Sequence, residues 1–182
     1  MACFCLFPTP VGTCGIAWRD LRVIATNLPE DSALATASRL ALRAGATEAE
    51  PPPSIEKAIA AISSLLGGKG TDLSCITCDF GDVGDFAHKV YSTTRTIAPG
   101  ETRTYGDIAD QLGDRRLAQR VGQLMGLNPI PIIVPCHRVI GADGKMVGFS
   151  AHGGLDTKRR MLAIEGALAA AQQGLFDDLD GA

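Results

Sequence analysis

The stretch Asn128-Pro129-Ile130-Pro131-Ile132-Ile133-Val134-Pro135-Cys136-His137-Arg138-Val139 holds the residues best able to do chemistry. Three prolines stiffen an apolar run, which delivers one cysteine with a histidine and an arginine directly after it. Rigid, water-poor support is what a positioned nucleophile needs, because a misplacement of about 1 Å costs roughly two orders of magnitude in rate. A thiol attacks as its thiolate, and an adjacent base or positive field promotes that form. The competing reading of any Cys-His pair is a buried, inert thiol beside a chance histidine. Lesser candidates lie elsewhere. Cys75-x-x-Cys78 invites a zinc or redox reading, but no second pair or histidine stands at ligand spacing. Cys3, Cys5 and Cys14 read as buried thiols on strands, so no metal is expected. His88 reads as a surface residue, and His152, in a glycine loop near Cys136, is weighed as a substrate contact. Lys158-Arg159-Arg160 reads as a solvated helix face, with phosphate contact as the alternative.

These residues sit in a chain of 182 residues, 46% hydrophobic and 20% charged, the composition of a soluble globular protein. The longest wholly apolar run, Met1 to Phe7, is too short to span a bilayer and lacks a basic n-region. No secretory signal and no membrane partner are expected, and six cysteines then suit a reducing cytoplasm. The net charge of −3 is uneven: residues 1–85 hold 6 basic against 10 acidic residues, residues 86–166 hold 11 against 7, and the last sixteen carry three aspartates. A modestly basic second half is compatible with a polyanion partner.

The pattern predicts an α+β chain. Strands are expected at Phe4–Phe7, Thr13–Trp18 and, after an Arg19-Asp20 turn, Leu21–Ala25. Asp31-Ser32 offers a cap for a helix over Ala33–Gly45, and Pro51-Pro52-Pro53-Ser54 re-caps a second helix ending at Gly67-Gly68. The character changes near residue 84. Phe86–Ile97 has helical spacing, Thr104 caps Tyr105–Leu112, and Arg115–Leu127 forms a further helix after Gly113-Asp114. A short helix, a glycine turn and a second helix make a helix-turn-helix pattern, which is common and often merely structural. The division expected is an N-terminal α+β domain over 1–84, a mostly helical domain over 85–166, and a frayed tail over 167–182.

Asn128-Pro129, Pro135-Cys136-His137-Arg138-Val139, Gly148-Phe149-Ser150, Gly153-Gly154 and Leu162-Ala163-Ile164-Glu165-Gly166 together resemble the O6-alkylguanine-DNA alkyltransferases, the methylated-DNA–protein-cysteine methyltransferases. The likeness is continuous from about Phe86 to Gly166, and the Phe7-Pro8-Thr9-Pro10-Val11-Gly12 opening also fits. The resemblance implies a ribonuclease H-like N-terminal domain and a winged-helix, helix-turn-helix-like second domain. It implies that Cys136 accepts the alkyl group from O6 of guanine, that His137 deprotonates it through a water, and that Glu165 orients His137. Asn128 would tie the recognition helix to the active-site segment, and Tyr105 would protonate N3 of the departing guanine. Arg138 would be a buried ion-pair partner. Val139, Phe149 and Ser150 would line the base pocket. Thr104, Arg115, Arg116, Ala118, Gln119, Arg120 and Gly122 would meet double-stranded DNA in the minor groove, and a monomer suffices for this chemistry. Each molecule would act once, because a thioether has no facile return path.

This sequence departs from that family's pattern. The intercalating arginine position falls on Gln119, and Arg120, one residue on, points about 100° away on a helix. Gln119 lacks guanidinium stacking and charge, Leu127 stands where a basic residue is frequent, and Phe149 replaces a tyrosine. Two rival readings follow: a protein of the same build that binds alkylated DNA without efficient repair, and a helix-turn-helix regulator with a structural Cys136.

Overall fold

The computed structural model describes residues 1–168. It begins with β1 (Ala2–Thr9), β2 (Gly12–Arg19) and β3 (Arg22–Asn27), followed by α1 (Ala33–Ala44), β4 (Ala46–Glu48) and α2 (Pro53–Leu66). The sheet order is β3-β2-β1-β4, antiparallel except for the parallel β1–β4 pair. Side chains alternate across a strand, and here both faces are covered. Phe4, Ala17 and Ala25 pack with Leu40 of α1 on one face. Cys5, Phe7, Cys14, Ile16 and Trp18 pack with Ile55, Ile62 and Leu65 of α2 on the other. Gly15 lets α1 approach closely: a Cβ there would lie 2.7 Å from a Leu40 methyl.

The expected strands and helices are present, with local differences. Leu21 is not in a strand; Asp20 (φ 48°) and Leu21 (φ 63°) form the two-residue hairpin turn, both in the left-handed region that such a turn demands. Ser32 caps α1, its Oγ accepting from Ala35 N at 3.1 Å, and Gly45 (φ 56°) ends the helix. Ser54 caps nothing, because α2 starts from Pro52 with Pro53 in its first turn, where a missing N–H is harmless. Strand β4 was not expected. Three residues between two helices carry no alternation to read, and pairing with Ala2–Phe4 makes them a strand.

The rest of the chain comprises α3 (Asp85–Thr94), β5 (Arg103–Thr104), α4 (Tyr105–Gln111), α5 (Ala118–Gly126), β6 (Val139–Ile140) and α6 (Gly154–Ile164). Helix α3 stops at Thr94, short of the expected Ile97. The expected Arg115–Leu127 helix is broken: Arg115–Leu117 form a 3-10 turn capped by Asp114, and α5 begins at Ala118. Strands β5 and β6 pair in parallel, Arg103 opposite Val139, which fixes the start of α4 beside the Cys136 segment. One apolar cluster runs from Ile16 and Trp18 through Tyr91, Ile108 and Val121 to Ile130–Val134 and Cys136. Ala167, where the tail is expected to begin, is buried, and residues 169–182 lie outside the described residues. Among the described residues, no helix is long and apolar enough to cross a membrane.

Candidate active site

Helix α5 ends at Gly126, and Asn128 folds the chain that follows. Its Nδ2 donates to Val134 O at 2.9 Å, and its Oδ1 accepts from Ile130 N at 3.0 Å. Val134 N closes the turn onto Ile130 O at 2.9 Å. Ile132, fully buried at the crest, holds φ 77°, a strained value for a β-branched residue. The strain is held from outside: Thr26 donates from its backbone to Pro129 O (3.2 Å) and from its hydroxyl to Pro131 O, and Arg43 donates to Pro129 O at 3.2 Å. The sheet thus presses on the segment that delivers Cys136. Cys136–Arg138 form a buried 3-10 turn, with Cys136 N donating to Val134 O at 2.8 Å.

Behind the thiol lies a closed charge network. Glu165, at the end of α6, accepts from His137 Nε2 at 2.9 Å and from Arg138 at 2.7 and 2.8 Å. Arg138 also donates to Ile97 O at 2.6 Å, anchoring the turn that follows α3. Burial alone would raise the Glu165 carboxyl, but the hydrogen bonds from His137 and Arg138 and the nearby Arg138 charge prevail and hold it down at about 2. His137 is wholly buried, and burial keeps its imidazole neutral, below its ordinary value despite Glu165. With Nε2–H given to the carboxylate, Nδ1 is the basic nitrogen. It is buried and has no hydrogen-bond partner among the described residues.

Burial likewise pushes the Cys136 thiol up, opposed by a hydrogen bond from Asn128, the charge of Lys158 and the backbone N–H groups of Cys136 and His137. Lys158 is the residue that sequence reasoning placed wrongly. It is fully buried, donating from Nζ to Val139 O at 2.6 Å and Val147 O at 3.4 Å. Burial lowers its pKa and the nearby Cys136 opposes that shift. The resting pair is therefore a neutral thiol and a neutral imidazole, flanked by groups that favour the ionised forms.

Cys136 opens onto a cavity of about 630 Å³ that also brings together Tyr105, Ala118, Gln119, Gly122, Phe149 and Ser150, seven of the expected site residues in one wall. Met125, Gly126, Val147 and Gly148 complete it. The Tyr105 hydroxyl donates to Val147 O at 3.4 Å, and burial followed by the proximity of Cys136 raises its pKa, so it holds its proton at neutral pH. Gly122 leaves room for that ring; a Cβ would sit 3.6 Å from it. Other expected residues lie elsewhere. Val139 does not reach the cavity, since its side chain is buried and its carbonyl is taken by Lys158. Thr104 spends its hydroxyl on the α4 capping box with Asp107. Arg120 lies over the Phe86 ring, 4.5 Å from the centroid, and Arg115 and Arg116 pair with Asp110 and Asp114. His152 is not a cavity residue but faces Asp31 (3.1 Å) and Glu30 (3.7 Å). His88 packs its ring against Phe80. Cys75 and Cys78 flank Thr77, whose carbonyl pairs with Val23 N beside β3, and Cys5, Cys14 and Cys78 are pushed up to about 11, chiefly by burial. Among the described residues no group of three or more metal-ligating side chains converges.

Residues 85–167 match the family model described as the DNA-binding domain of 6-O-methylguanine DNA methyltransferase. The methylated-DNA–protein-cysteine methyltransferase of Mycobacterium tuberculosis is 52% identical over 93 residues, which are 51% of this chain and 55% of that protein. The protein of the same name from Mycolicibacterium paratuberculosis is 38% identical over 169 residues, 93% of this chain and 95% of its own length. The crystal structure of the M. tuberculosis O6-methylguanine methyltransferase superimposes with a TM-score of 0.74 at 34% identity, covering 92% of this chain and 94% of that one. Another, in complex with DNA, gives 0.73 at 33% identity, covering 90% and 92%. With likeness over nearly its whole length, a cysteine at the cavity wall and a hydrogen-bonded histidine–glutamate pair whose histidine follows that cysteine in the chain, this chain belongs to the methylated-DNA–protein-cysteine methyltransferase family.

Proposed function

We propose that the chain is a methylated-DNA–protein-cysteine S-methyltransferase that repairs O6-alkylguanine by taking the alkyl group onto Cys136. The observation that carries this reading is the Cys136 thiol opening onto a cavity large enough for a nucleobase, with the Glu165-held imidazole of His137 behind it. O6 of guanine is inside the duplex stack, so the nucleotide must be extruded at a cost of roughly a few kcal/mol. The thiol proton passes to His137, whose unpartnered Nδ1 suits a bridging water, and Glu165 stabilises the imidazolium. Sγ then bonds to the alkyl carbon as the carbon–O6 bond breaks, and the electron pair leaves on guanine. Tyr105 donates its hydroxyl proton to N3 of the leaving base and recovers one from His137 through solvent. Lys158 favours the thiolate that attacks, and no metal or organic cofactor takes part.

The partner in this reading is double-stranded DNA, met in the minor groove by α5, whose Ala118 and Gly122 present little bulk. The β3-β2-β1-β4 order with a parallel β4 supports a ribonuclease H-like first domain over residues 1–84, and the α4–α5 pair with β5 and β6 supports a winged-helix second domain over 85–166. The protein acts as a monomer in the cytoplasm, associating with DNA. Gln119 at the cavity, with Arg120 held on Phe86, favours one second reading: tight recognition of alkylated DNA with inefficient transfer. The test is stoichiometry. Incubated with excess duplex bearing one O6-methylguanine, the protein restores one guanine per chain and then stops; restoration of none contradicts the proposal, and continued turnover contradicts its irreversible step.

A further inference from the structure

The segment 101–120, which gives Tyr105, Ala118 and Gln119 to the cavity wall, carries four arginines and four acidic residues, so its formal charge is zero. The arginines are not free. Arg116 binds Asp114 through two nitrogens at 2.9 and 3.0 Å, although its side chain is 90% exposed. Arg115 pairs with Asp110, lying against α4 where Gly106 leaves room; a Cβ there would be 3.2 Å from the guanidinium. Arg103 pairs with Glu101 at 3.2 Å, and Arg120 rests on Phe86.

We infer that this DNA-facing collar is electrically self-neutralised, with Asp110, Asp114 and Glu101 acting as intramolecular competitors for the arginines that would otherwise hold phosphate. The inference rests on the duplex-DNA partner proposed above. Each phosphate neutralised by a free cationic side chain releases about 0.9 counterion, so four free arginines would give a salt slope near −3.6. An arginine that leaves its carboxylate for a phosphate strands a negative charge beside the DNA, and the net release nearly cancels. Affinity for undamaged duplex is then weak and shallow in salt, and discrimination falls to the base inside the cavity.

The experiment is fluorescence anisotropy with a short, labelled, undamaged duplex between about 50 and 200 mM salt. The substitution is Asp114→Asn, which removes the charge but keeps an N-cap for the Arg115–Leu117 turn. The wild type shows a slope near −1, the contribution of Arg120, whose partner Phe86 carries no charge to be stranded. Asp114→Asn binds roughly three- to tenfold tighter at the low-salt end, with a slope steeper by about 0.9. Arg116→Gln is silent in the wild type and abolishes the gain in Asp114→Asn. A wild-type slope near −3.6, an Asp114→Asn protein that binds as the wild type does, or a loss from Arg116→Gln alone overturns the inference while leaving duplex binding intact. Absence of duplex binding in every variant overturns the DNA reading itself, and the inference with it.

Discussion

Glu165 is the residue on which the site's charges converge, and its environment makes a pH-dependent contribution to stability. The carboxyl falls from an ordinary 4.5 to about 2 in the fold. Between those values the unfolded chain binds more protons, so the stabilisation is complete above about pH 4.5 and is lost as pH falls toward 2. His137 adds a term of the same sign: burial lowers its pKa, so below about 6.5 the unfolded chain takes up a proton that the fold refuses. Glu165→Gln keeps the shape but leaves Arg138 buried without its counter-charge, a loss on the order of 3–5 kcal/mol. Denaturant titrations from pH 7 to pH 3 are expected to show the wild type losing stability in both windows, and the variant weaker at pH 7 but with a shallower loss below pH 4.5, where only other carboxyls such as Asp72, Asp107 and Asp114 still contribute. Equal acid slopes in the two proteins would contradict the assignment. At this scale the sequence was most legible where partners are adjacent: Cys136 and His137 stand side by side, and the residues around Glu165 carry the family resemblance. Ile132 was illegible, because a left-handed residue without glycine is set by its packing rather than by its type.

At the scale of elements, α6 does two jobs with two side chains. It ends at Glu165, and from Lys158 it reaches back to the carbonyls of Val139 and Val147. Val147 also accepts from Tyr105, so one carbonyl joins helix α4, helix α6 and the wall that contains Phe149 and Ser150. Lys158→Met keeps the apolar stem, removes the ammonium and leaves the Val139 carbonyl unpaired, at a cost of about 1–3 kcal/mol. It also removes a charge that favours the Cys136 thiolate. Iodoacetamide labelling of Cys136 in the variant is therefore expected to shift to higher pH, with slower reaction at pH 8; an unchanged profile would mean that Lys158 is only a brace. Its neighbours hid it. Lys158-Arg159-Arg160 reads as one charged face, yet only Lys158 turns inward, and the face of α6 that meets the core is decided by tertiary contact. The same holds for α5, whose single expected helix is split because Asp114 caps a separate 3-10 turn.

Over the whole molecule, the N-terminal sheet serves the site without contributing to its chemistry. Thr26 and Arg43 grip the proline-rich segment at Pro129 and Pro131, and His152 meets Glu30 and Asp31, so the loop after Cys136 is tied to the sheet domain as well. The α+β order was readable from alternation and capping residues, since those signals are local. The contacts between the two halves were not, because they join residues a hundred positions apart. The central claim, that Cys136 accepts an alkyl group from guanine, is tested most directly by intact-protein mass after incubation with a duplex containing one O6-methylguanine, alongside Cys136→Ala. The account predicts a gain of one methylene's mass in the wild type and none in the variant. An unchanged wild-type mass with the duplex still bound would contradict it and leave a protein that recognises the lesion without removing it.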